Sequence, residues 1–531
     1  MALRNAVPLK FKPRGVSDTF DGMNSIPGAM SSLSNLIPDP STPDAFQCRP
    51  AVSLLVNFTT SGFSSPGAVS HMIVMNGRVY GLVASARNAG KDEPFSFNIG
   101  TGLFDTVTGI TAANSPTTQA TTGDWTPPTA AVMGNYVVFT HPGFNVGSGY
   151  YFGWFDITNP AAPTWTAGNT ATNGLASLPT NVELFSNRLY FSAGNVLPYT
   201  DALTLTRSSA SQYLTAGDIS PITALSLFTL STTNQGILQG LLVFKGNTVF
   251  QVTGDAALST LSINSLNTAA GTLAQRSVAP TPSGVVFLAP DGIRVVQADG
   301  TVSEPDADLR LPFINALYPS RASGSYNQNV YQICTQNGGK NGSPWESYWF
   351  DLGREIWTGP HTFQHDVAAP YMDRFILASH INPGKLYTSY TTQVSGVGFT
   401  EVGTPLAWTF ATAPIGEDDS LSVNTVNDST INMAFSASSQ AVTLTASDTR
   451  NGVVGSAVIP APGGATIWGS FTWGASVWAG PQTGITPHFI PWSAPLVFTK
   501  AIFQANGVSS LGFKISNMRF LLQPSGYLPP V

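Results

Sequence analysis

The chain has 531 residues, of which 42% are hydrophobic and only 10% charged, with 51 glycines and 39 prolines. Soluble globular chains usually carry about 25% charged residues. This composition excludes a mainly helical protein and favours β-strands joined by turns. The length allows two or three domains, or one large repeat domain with an appendage. A surface with so little charge suits a subunit covered by copies of itself, although an extracellular β-protein has a similar composition.

The net charge of −6 is unevenly spread, and no Lys or Arg occurs between residues 92 and 187. No basic groove is indicated, so tight binding along a nucleic-acid backbone is not expected. Cys48 and Cys334 are the only cysteines, which predicts folding in a reducing cytoplasm. The N-terminal sequence lacks the features of a signal peptide, and no apolar stretch approaches ~20 residues, so no membrane-spanning helix is expected.

Residues 1–50 are interpreted as an N-terminal arm. Within the arm, Ala29, Met30, Leu33 and Leu36 are spaced as on one face of a helix, and Pro38 follows them. This spacing predicts a short N-terminal helix of about three turns. The only other helix expected is a short one near Leu311–Leu317.

From residue 71 onward, one pattern recurs: an apolar run, a turn of Asn or Asp with Gly or Arg, and a β-branched and aromatic run. Examples are MIVMNGRVYGLVA, AVMGNYVVFT, VELFSNRLYFSA, LLVFKGNTVFQV, VVFLAPDGIRVV and YMDRFILA. Such turns predict hairpins. Their recurrence every 45–60 residues or so predicts a β-propeller over 51–400, with about six or seven blades. A string of β-sandwich hairpins without circular order is the alternative.

After about residue 401 the repeat lapses but the alternation of apolar and polar residues continues, so 401–531 is predicted to be a separate β-sandwich domain. A charge-free stretch there contains four tryptophans: Trp468, Trp473, Trp478 and Trp492. They are candidates for an interface with other subunits or with a partner protein, where Trp is a favoured anchor. The alternative, held equally, is a core of aromatic strands.

Three segments resemble the nozzle, or tail tube, proteins of short-tailed bacteriophages. They are GMNSIPGAMSSLSNLIPDPSTPDAFQCRPA at 22–51, GLLVFKGNTVFQVTGD with TLAQRSVAPTPSGVVFLAPDGIRVV at 240–296, and GFKISNMRFLLQPSGY at 512–527. The resemblance covers both ends and the middle of the chain. It implies a propeller-bearing subunit of a homohexameric ring in the virion tail, docked on an adaptor ring and in contact with tail fibre or tail needle proteins. It also implies a conduit and gate through which genomic DNA leaves without being tightly held.

A conduit lining with few cations lowers friction on the phosphate backbone. Part of the stretch 92–187 is therefore expected to line the DNA channel. The channel-lining candidates are its acidic residues Asp105, Asp124, Asp156 and Glu183.

No catalytic, cofactor-binding or metal-binding residues are assigned, and the chain is not expected to be an enzyme. Asp255, Asp291, Asp351 and Asp366 lie near turns or strand ends, where Asp bonds the local backbone. His361 and His365 are expected to be structural or interface residues, because four positions along a strand separate them by about 13 Å. Two alternative functions stay open: a carbohydrate-binding or glycan-degrading propeller, and a receptor-binding tip of the tail.

Overall fold

A computed structural model describes residues 7–11, 15–18, 28–42, 44–61, 63–85, 90–120, 126–232, 236–266, 269–305, 309–336, 345–393, 398–416, 422–435, 441–448, 452–460, 485–493, 495–509 and 512–527. The chain forms two compact units. The propeller unit comprises Leu54–Trp345 and Gln364–Thr388, and the sandwich unit comprises Met1–Ser53, Glu346–Phe363 and Ser389–Val531. No helix of the described residues is long and apolar enough to cross a bilayer.

The propeller unit is a ring of seven blades. The first strand of each blade contacts the first strand of the next, and the seventh contacts the first again. In chain order these seven inner strands are Val69–Met75, Thr129–Met133, Asn181–Phe185, Ala224–Thr232, Ala279–Thr281, Ser323–Asn327 and Val367–Tyr371. The closed ring confirms the predicted propeller and its circular order.

Blades 1 to 5 each continue outward through antiparallel strands, and blades 6 and 7 continue with a second strand each. The outer strands are Arg78–Ser85, Lys91–Asn98 and Leu103–Phe104 in blade 1; Tyr136–Thr140, Phe152–Asp156 and Thr164–Gly168 in blade 2; Arg188–Ser192, Val196–Pro198 and Tyr213–Thr215 in blade 3; Gly236–Phe244, Val249–Thr253 and Ser262–Ser265 in blade 4; Gly284–Ala289, Gly292–Val296 and Val302–Ser303 in blade 5; Val330–Gln336 in blade 6; and Arg374–Ala378 in blade 7. Ala171–Thr172 and Thr206–Arg207 form an additional parallel pair.

Short helical turns occur in loops of the propeller unit. The α-helix Leu311–Ile314 lies where the second helix was predicted. The 3₁₀ turns are Phe58–Ser61, Val146–Ser148, Ala256–Leu258, Gln275–Ser277 and Pro319–Arg321. Three strands contain the positions at which the two units are divided: Val52–Asn57, Trp345–Asp351 and Lys385–Tyr390.

The six recurring sequence motifs are all hairpins, as predicted. Four of them join the first and second strands of blades 1, 2, 3 and 7, and two join the second and third strands of blades 4 and 5. Asn76 and Gly77 have φ values of +49° and +72°, which is why Asn-Gly suits this turn. Blade 6 has the same kind of turn at Gln328 and Asn329, a pair that the search for Asn-Gly and Asp-Gly missed.

Side chains alternate between the two faces of each blade, so each face packs on a different neighbour. In blade 2, Val137 and Phe139 pack with Tyr80 of blade 1, whereas Val138 packs with Leu189 of blade 3. Similar clusters join blades 3 and 4, 4 and 5, and 7 and 1. Burying a side chain of this size contributes about 1.5–3 kcal/mol, so the interblade clusters hold the ring together.

The sandwich unit contains two groups of strands, here called sheets I and II. Sheet I contains Val7–Phe11, Leu36–Pro38, Phe46–Cys48, Ser422–Phe435, Thr486–Phe489, Leu496–Phe498 and Phe513–Tyr527. Sheet II contains Gly15–Val16, Ala29–Ser34, Ile356–His361, Thr400–Glu401, Thr404–Thr412, Ile415–Gly416, Val442–Asp448, Gly452–Ile459 and Lys500–Ser509. Trp408 stacks on Phe513 at 4.0 Å, and Phe503 packs on Phe520 at 4.0 Å. These contacts between the sheets confirm a β-sandwich.

The predicted N-terminal helix is wrong. Residues Ala29–Ser34 form a strand that pairs with Thr404–Thr412, about 380 positions later in the chain. Met30, Leu33 and Leu36 are fully buried. Because an apolar spacing of three and four also fits a short buried segment, pairing with a distant strand decided the structure. The N-terminal residues are thus part of the sandwich unit, which differs from the predicted division at residues 50 and 401.

Blades 1 and 2 share a buried polar contact. Asp92 and His141 are both fully buried, with Asp92 Oδ2 at 3.1 Å from His141 Nε2. Thr118 Oγ1 donates to Asp92 Oδ1 at 2.5 Å, and the Gly143 amide donates to His141 Nδ1 at 2.9 Å. Since Nδ1 accepts a hydrogen bond, Nε2 carries the proton and donates it to Asp92.

Replacing this carboxylate tests how strongly the contact stabilises the ring. We expect Asp92→Ala to lower the free energy of unfolding by about 3 kcal/mol, because two buried donors lose their acceptor. Urea denaturation followed by tryptophan fluorescence measures the change. Asp156→Ala, which removes a carboxylate at a surface turn, is the matched control and should have a much smaller effect. Equal effects of the two variants would contradict the assigned role.

Candidate functional site

The inner strands of the propeller unit surround a cavity of about 260 Å³, here called the axial cavity. Each of the seven blades contributes side chains or backbone from its first strand or from the residues next to it. Its lining residues are His71, Thr129, Ala130, Val182, Glu183, Leu225, Gln275, Arg276, Val278, Ala279, Pro280, Ser323, Gly324, Ser325, Tyr326, Val367, Ala368 and Pro370. The volume is that of about nine water molecules at ~30 Å³ each.

Arg276 is the principal cation of the axial cavity. It lies in the 3₁₀ turn before blade 5, and its Nη1 donates to the Asp366 carbonyl at 2.8 Å. Its Nη2 donates to the Ser70 carbonyl, so one guanidinium connects the start of blade 5 with blade 1 and with the residue before blade 7. Burial lowers the pKa of Arg276 to about 10, against the opposing effect of the Asp366 carboxylate, while the charge of Arg321 lowers it further. Arg276 remains cationic at neutral pH.

Glu183 supplies the negative group. It lies on the first strand of blade 3, and among the described residues lining the axial cavity only Glu183 carries a carboxylate. Its Oε1 accepts a hydrogen bond from the Leu184 amide at 3.0 Å. Burial raises the pKa of Glu183 to about 7, and that hydrogen bond offsets the effect only in part. The carboxyl group is therefore about half protonated at neutral pH.

Two further polar side chains complete the cavity. Burial, with the nearby charge of Arg276, keeps the pKa of His71 well below its usual value, so this imidazole is neutral. Gln275 is only 7% exposed, and its Nε2 has no hydrogen-bond partner. Gln275 also lines a second cavity of about 480 Å³, formed by loop residues that precede the blades. It thus borders both cavities.

The arrangement suits binding better than hydrolysis. Arg276 and Gln275 provide N–H donors, and Glu183 can donate or accept according to its protonation. Glycoside hydrolysis requires two carboxyl groups placed across the sugar, and the axial cavity has a single one among its described lining residues. Within the part of the chain that the structure describes, no three His, Cys, Asp or Glu side chains are grouped to hold a metal ion.

The structure places the channel-lining candidates in different settings. Glu183 lines the axial cavity, which is too small for a DNA duplex, and its assignment to a DNA channel stays a prediction. Asp105 accepts hydrogen bonds from Arg78 at 3.0 Å and Ser96 at 2.7 Å. Asp156 accepts from the amide and hydroxyl of Thr158 in a turn. These contacts give Asp105 and Asp156 local structural roles, and Asp124 lies outside the described residues.

Of the four tryptophans, Trp468, Trp473 and Trp478 lie outside the described residues. Trp492 is half-buried in the sandwich unit. Its Nε1 donates to Ser429 Oγ at 2.6 Å, and its ring centroid is 6.1 Å from that of Phe503. An interface role for these tryptophans stays a prediction.

The histidines singled out from the sequence are buried. His361 Nδ1 accepts from the Asn35 amide at 3.0 Å, and its Nε2 lies 3.2 Å from Thr358 Oγ1. Burial lowers the pKa of His365 to about 4. The two cysteines are buried and are not joined in a disulfide, and burial raises the pKa of the Cys48 thiol to about 12, so this thiol is unreactive at neutral pH.

Sequence reasoning gave no role to Arg276 or Gln275, although both occur in the quoted segment TLAQRSVAP. One sequence feature could have identified them: a cationic side chain follows an amide side chain between two apolar runs, in a chain with few charges. Such a pair indicates a buried polar site only when the strands that surround it in the folded propeller are known.

Comparisons with known proteins give low similarities. No protein-family model matches the chain, and no curated protein matches it significantly. Among solved structures, the WD40 β-propeller domain of Doa1 is similar with a TM-score of 0.38 and 10% identity, covering 65% of this chain and 98% of that domain. Two structures of puromycin hydrolase, one of a mutant complex, have TM-scores of 0.37 and identities of 10% and 12%.

The two matches cover 68% and 66% of this chain, and they cover 62% and 60% of the respective puromycin hydrolase chains. These similarities are low, so the fold assignment rests on the closed ring of seven inner strands. The chain is a β-propeller protein with an added β-sandwich.

The buried carboxyl group of Glu183 predicts a pH-dependent stability. Its pKa rises from 4.5 to about 7 on folding, so the native state holds this proton more tightly than the unfolded chain does. The free energy of unfolding should therefore fall as the pH rises from about 4.5 through 7. We expect Glu183→Gln to be more stable than the wild type at pH 8, by up to about 3 kcal/mol, and to lose this advantage at pH 4. Urea denaturation at both pH values measures the difference, and an equal difference at both would contradict the assignment.

Proposed function

We propose that this chain is a structural subunit of the tail nozzle of a short-tailed bacteriophage, acting in a cyclic homo-oligomer and not as an enzyme. The observation that carries the proposal is the scarcity of charge, 10% of the residues, in a chain built from a propeller and a sandwich. A protein that stays monomeric in solution normally has a mixed, charged surface. A weakly charged surface instead favours burial against other subunits.

Several of the few charged side chains form ion pairs within the chain. At least eight of the 23 Lys and Arg side chains are paired with carboxylates in the described residues. The pairs are Arg49–Glu401, Arg78–Asp105, Arg188–Asp201, Lys245–Asp218, Arg294–Asp291, Arg310–Glu304, Arg374–Asp373 and Lys514–Asp39. Arg49 and Lys245 are buried. Each pair is locally neutral and so leaves fewer unpaired charges on the chain, which supports a surface suited to neighbouring subunits.

The size of the axial cavity determines where DNA would pass in this proposal. A cavity of about 260 Å³ cannot hold a duplex, so the conduit would lie between copies of the chain. The adaptor ring of the head–tail connector and the tail fibre or needle proteins are the proposed partners, and the virion tail is the proposed location. Because each cation that contacts phosphate strengthens binding, a chain with few free cations suits a passage that DNA must leave.

The alternative of a glycan-degrading propeller receives no specific support. The described lining of the axial cavity lacks the second carboxylate that the reaction needs. Asp291 is paired with Arg294 in its turn, and Asp351 accepts hydrogen bonds from the backbone of its own turn. These carboxylates have the local roles that were expected from their positions.

The assembly state of the purified full chain tests the proposal. We expect a closed ring of about 335 kDa, which is six times the 55.9 kDa of one chain, in analytical ultracentrifugation and as annular particles in negative-stain electron microscopy. The ring should persist at 1 M salt, because surfaces with few charges associate through apolar and hydrogen-bonded contacts.

Two further measurements test where the chain lies in the phage particle and whether it degrades polysaccharide. Phage particles labelled with an antibody to the chain should carry the label at the end of the tail. Incubation of the purified chain with host polysaccharide should release no reducing ends. A stable monomer that cleaves polysaccharide would overturn the proposal.

A further inference from the structure

We propose that the axial cavity is a binding site for a small oxyanion, either a carboxylate or a tetrahedral anion such as sulfate, held by Arg276 and Gln275 and opposed by Glu183. This site is independent of the proposed function, since it lies inside one propeller unit and needs no second copy. The proposal rests on the cavity, on the donors that line it and on the balance of charge around it.

The donors define the chemistry of the ligand. The Gln275 Nε2 group is buried and has no partner in the protein, and a buried donor left unsatisfied is unfavourable by about 1–3 kcal/mol. Since an amide nitrogen can only donate, its missing partner is an acceptor. Arg276 lines the same cavity, and a guanidinium group is also a donor only. Both side chains therefore select a ligand with acceptor oxygens.

The charges favour an anion among such acceptors. The charges of Arg276 and Arg321 act on each other, and the Asp366 carboxylate opposes them. Asp366 is itself engaged by His380, whose Nδ1 lies 3.0 Å from Asp366 Oδ2. His71, which also lines the cavity, is neutral at neutral pH. When Glu183 is protonated, the cavity has an excess of positive charge that an anion would balance.

The cavity also has room for such a ligand and a route to it. Its volume of about 260 Å³ lies just below the range of about 300–1,000 Å³ found for sites that bind drug-sized molecules. The outer cavity of about 480 Å³ shares Gln275 with it. Movement of this one side chain would open a path from the outer cavity to Arg276.

Glu183 couples binding to protonation. An ionised carboxylate repels an anion across the cavity, whereas a protonated one can donate a hydrogen bond to it. Anion binding should therefore be accompanied by proton uptake at Glu183 and should weaken as the pH rises. His71 stays neutral and Arg276 stays cationic between pH 6 and pH 8, so the pH dependence is assigned to Glu183.

Isothermal titration calorimetry of the full chain with sodium acetate and with sodium sulfate tests the site, with sodium chloride at equal ionic strength as the reference. Acetate and sulfate keep their charges between pH 6 and pH 8, so a pH effect reports on the protein. We expect at least one of the two anions to bind at pH 6 with one site per chain, and to bind about tenfold more weakly at pH 8. Tighter binding of acetate would identify a carboxylate as the ligand, and tighter binding of sulfate would identify a tetrahedral anion.

Two variants and a matched control assign the effect to the cavity. Gln275→Leu should weaken binding about fivefold at pH 6 through the loss of one hydrogen bond, and Glu183→Gln should bind equally at both pH values. Gln332→Leu is the control, because Gln332 is also buried with an unpartnered Nε2 but does not line the cavity. It should bind like the wild type.

The proposal is overturned if neither anion binds, if Gln275→Leu binds as tightly as the wild type, or if Gln332→Leu loses binding equally. If Gln275→Leu does not fold, the pH dependence of Glu183→Gln decides alone, and an unchanged tenfold effect overturns the proposal. None of these results depends on whether the chain assembles into rings.

Discussion

Closure of the ring is the constraint on which the propeller unit depends. Each blade has apolar side chains on both faces, as the alternation of Val137 and Val138 between two different clusters shows. A single blade can cover neither face, and a row of blades would leave two faces exposed to water. When the seventh inner strand contacts the first, the apolar faces that the two ends of such a row would expose are packed against each other.

The same closure creates the axial cavity and places polar groups there. The inner strands bring residues from positions as distant as His71 and Ala368 to one small space. Burial then changes the chemistry of these side chains: Glu183 becomes a carboxyl group that titrates near neutral pH, and Arg276 needs two carbonyl groups to hold its charge. Desolvation makes an unbalanced charge unfavourable, so a cavity with this composition favours a ligand that completes the balance.

The sandwich unit also contains buried polar side chains, which are joined in a hydrogen-bonded network. Arg49 is fully buried, donates from Nε to Asn35 Oδ1 at 2.8 Å and pairs with Glu401. Asn35 also bonds Thr362, so one polar network joins the three chain segments that form this unit. Such a network holds the N-terminal residues in the sandwich. Charge is scarce in the whole chain, at 10% of the residues, and this scarcity supports the proposed assembly of neighbouring subunits.

The sequence by itself determined the local structure: an all-β chain, hairpins at turns such as Asn76–Gly77, a propeller from their recurrence and a sandwich after it. These features depend on residues close together in the chain, where positive φ values and two-residue alternation leave a direct pattern. Only the tertiary structure decided that the ring has seven blades, that Ala29–Ser34 is a strand and that Glu183 faces a small cavity. The strand depends on pairing with residues about 380 positions away, and the setting of Glu183 depends on the closed ring, so neither leaves a local pattern.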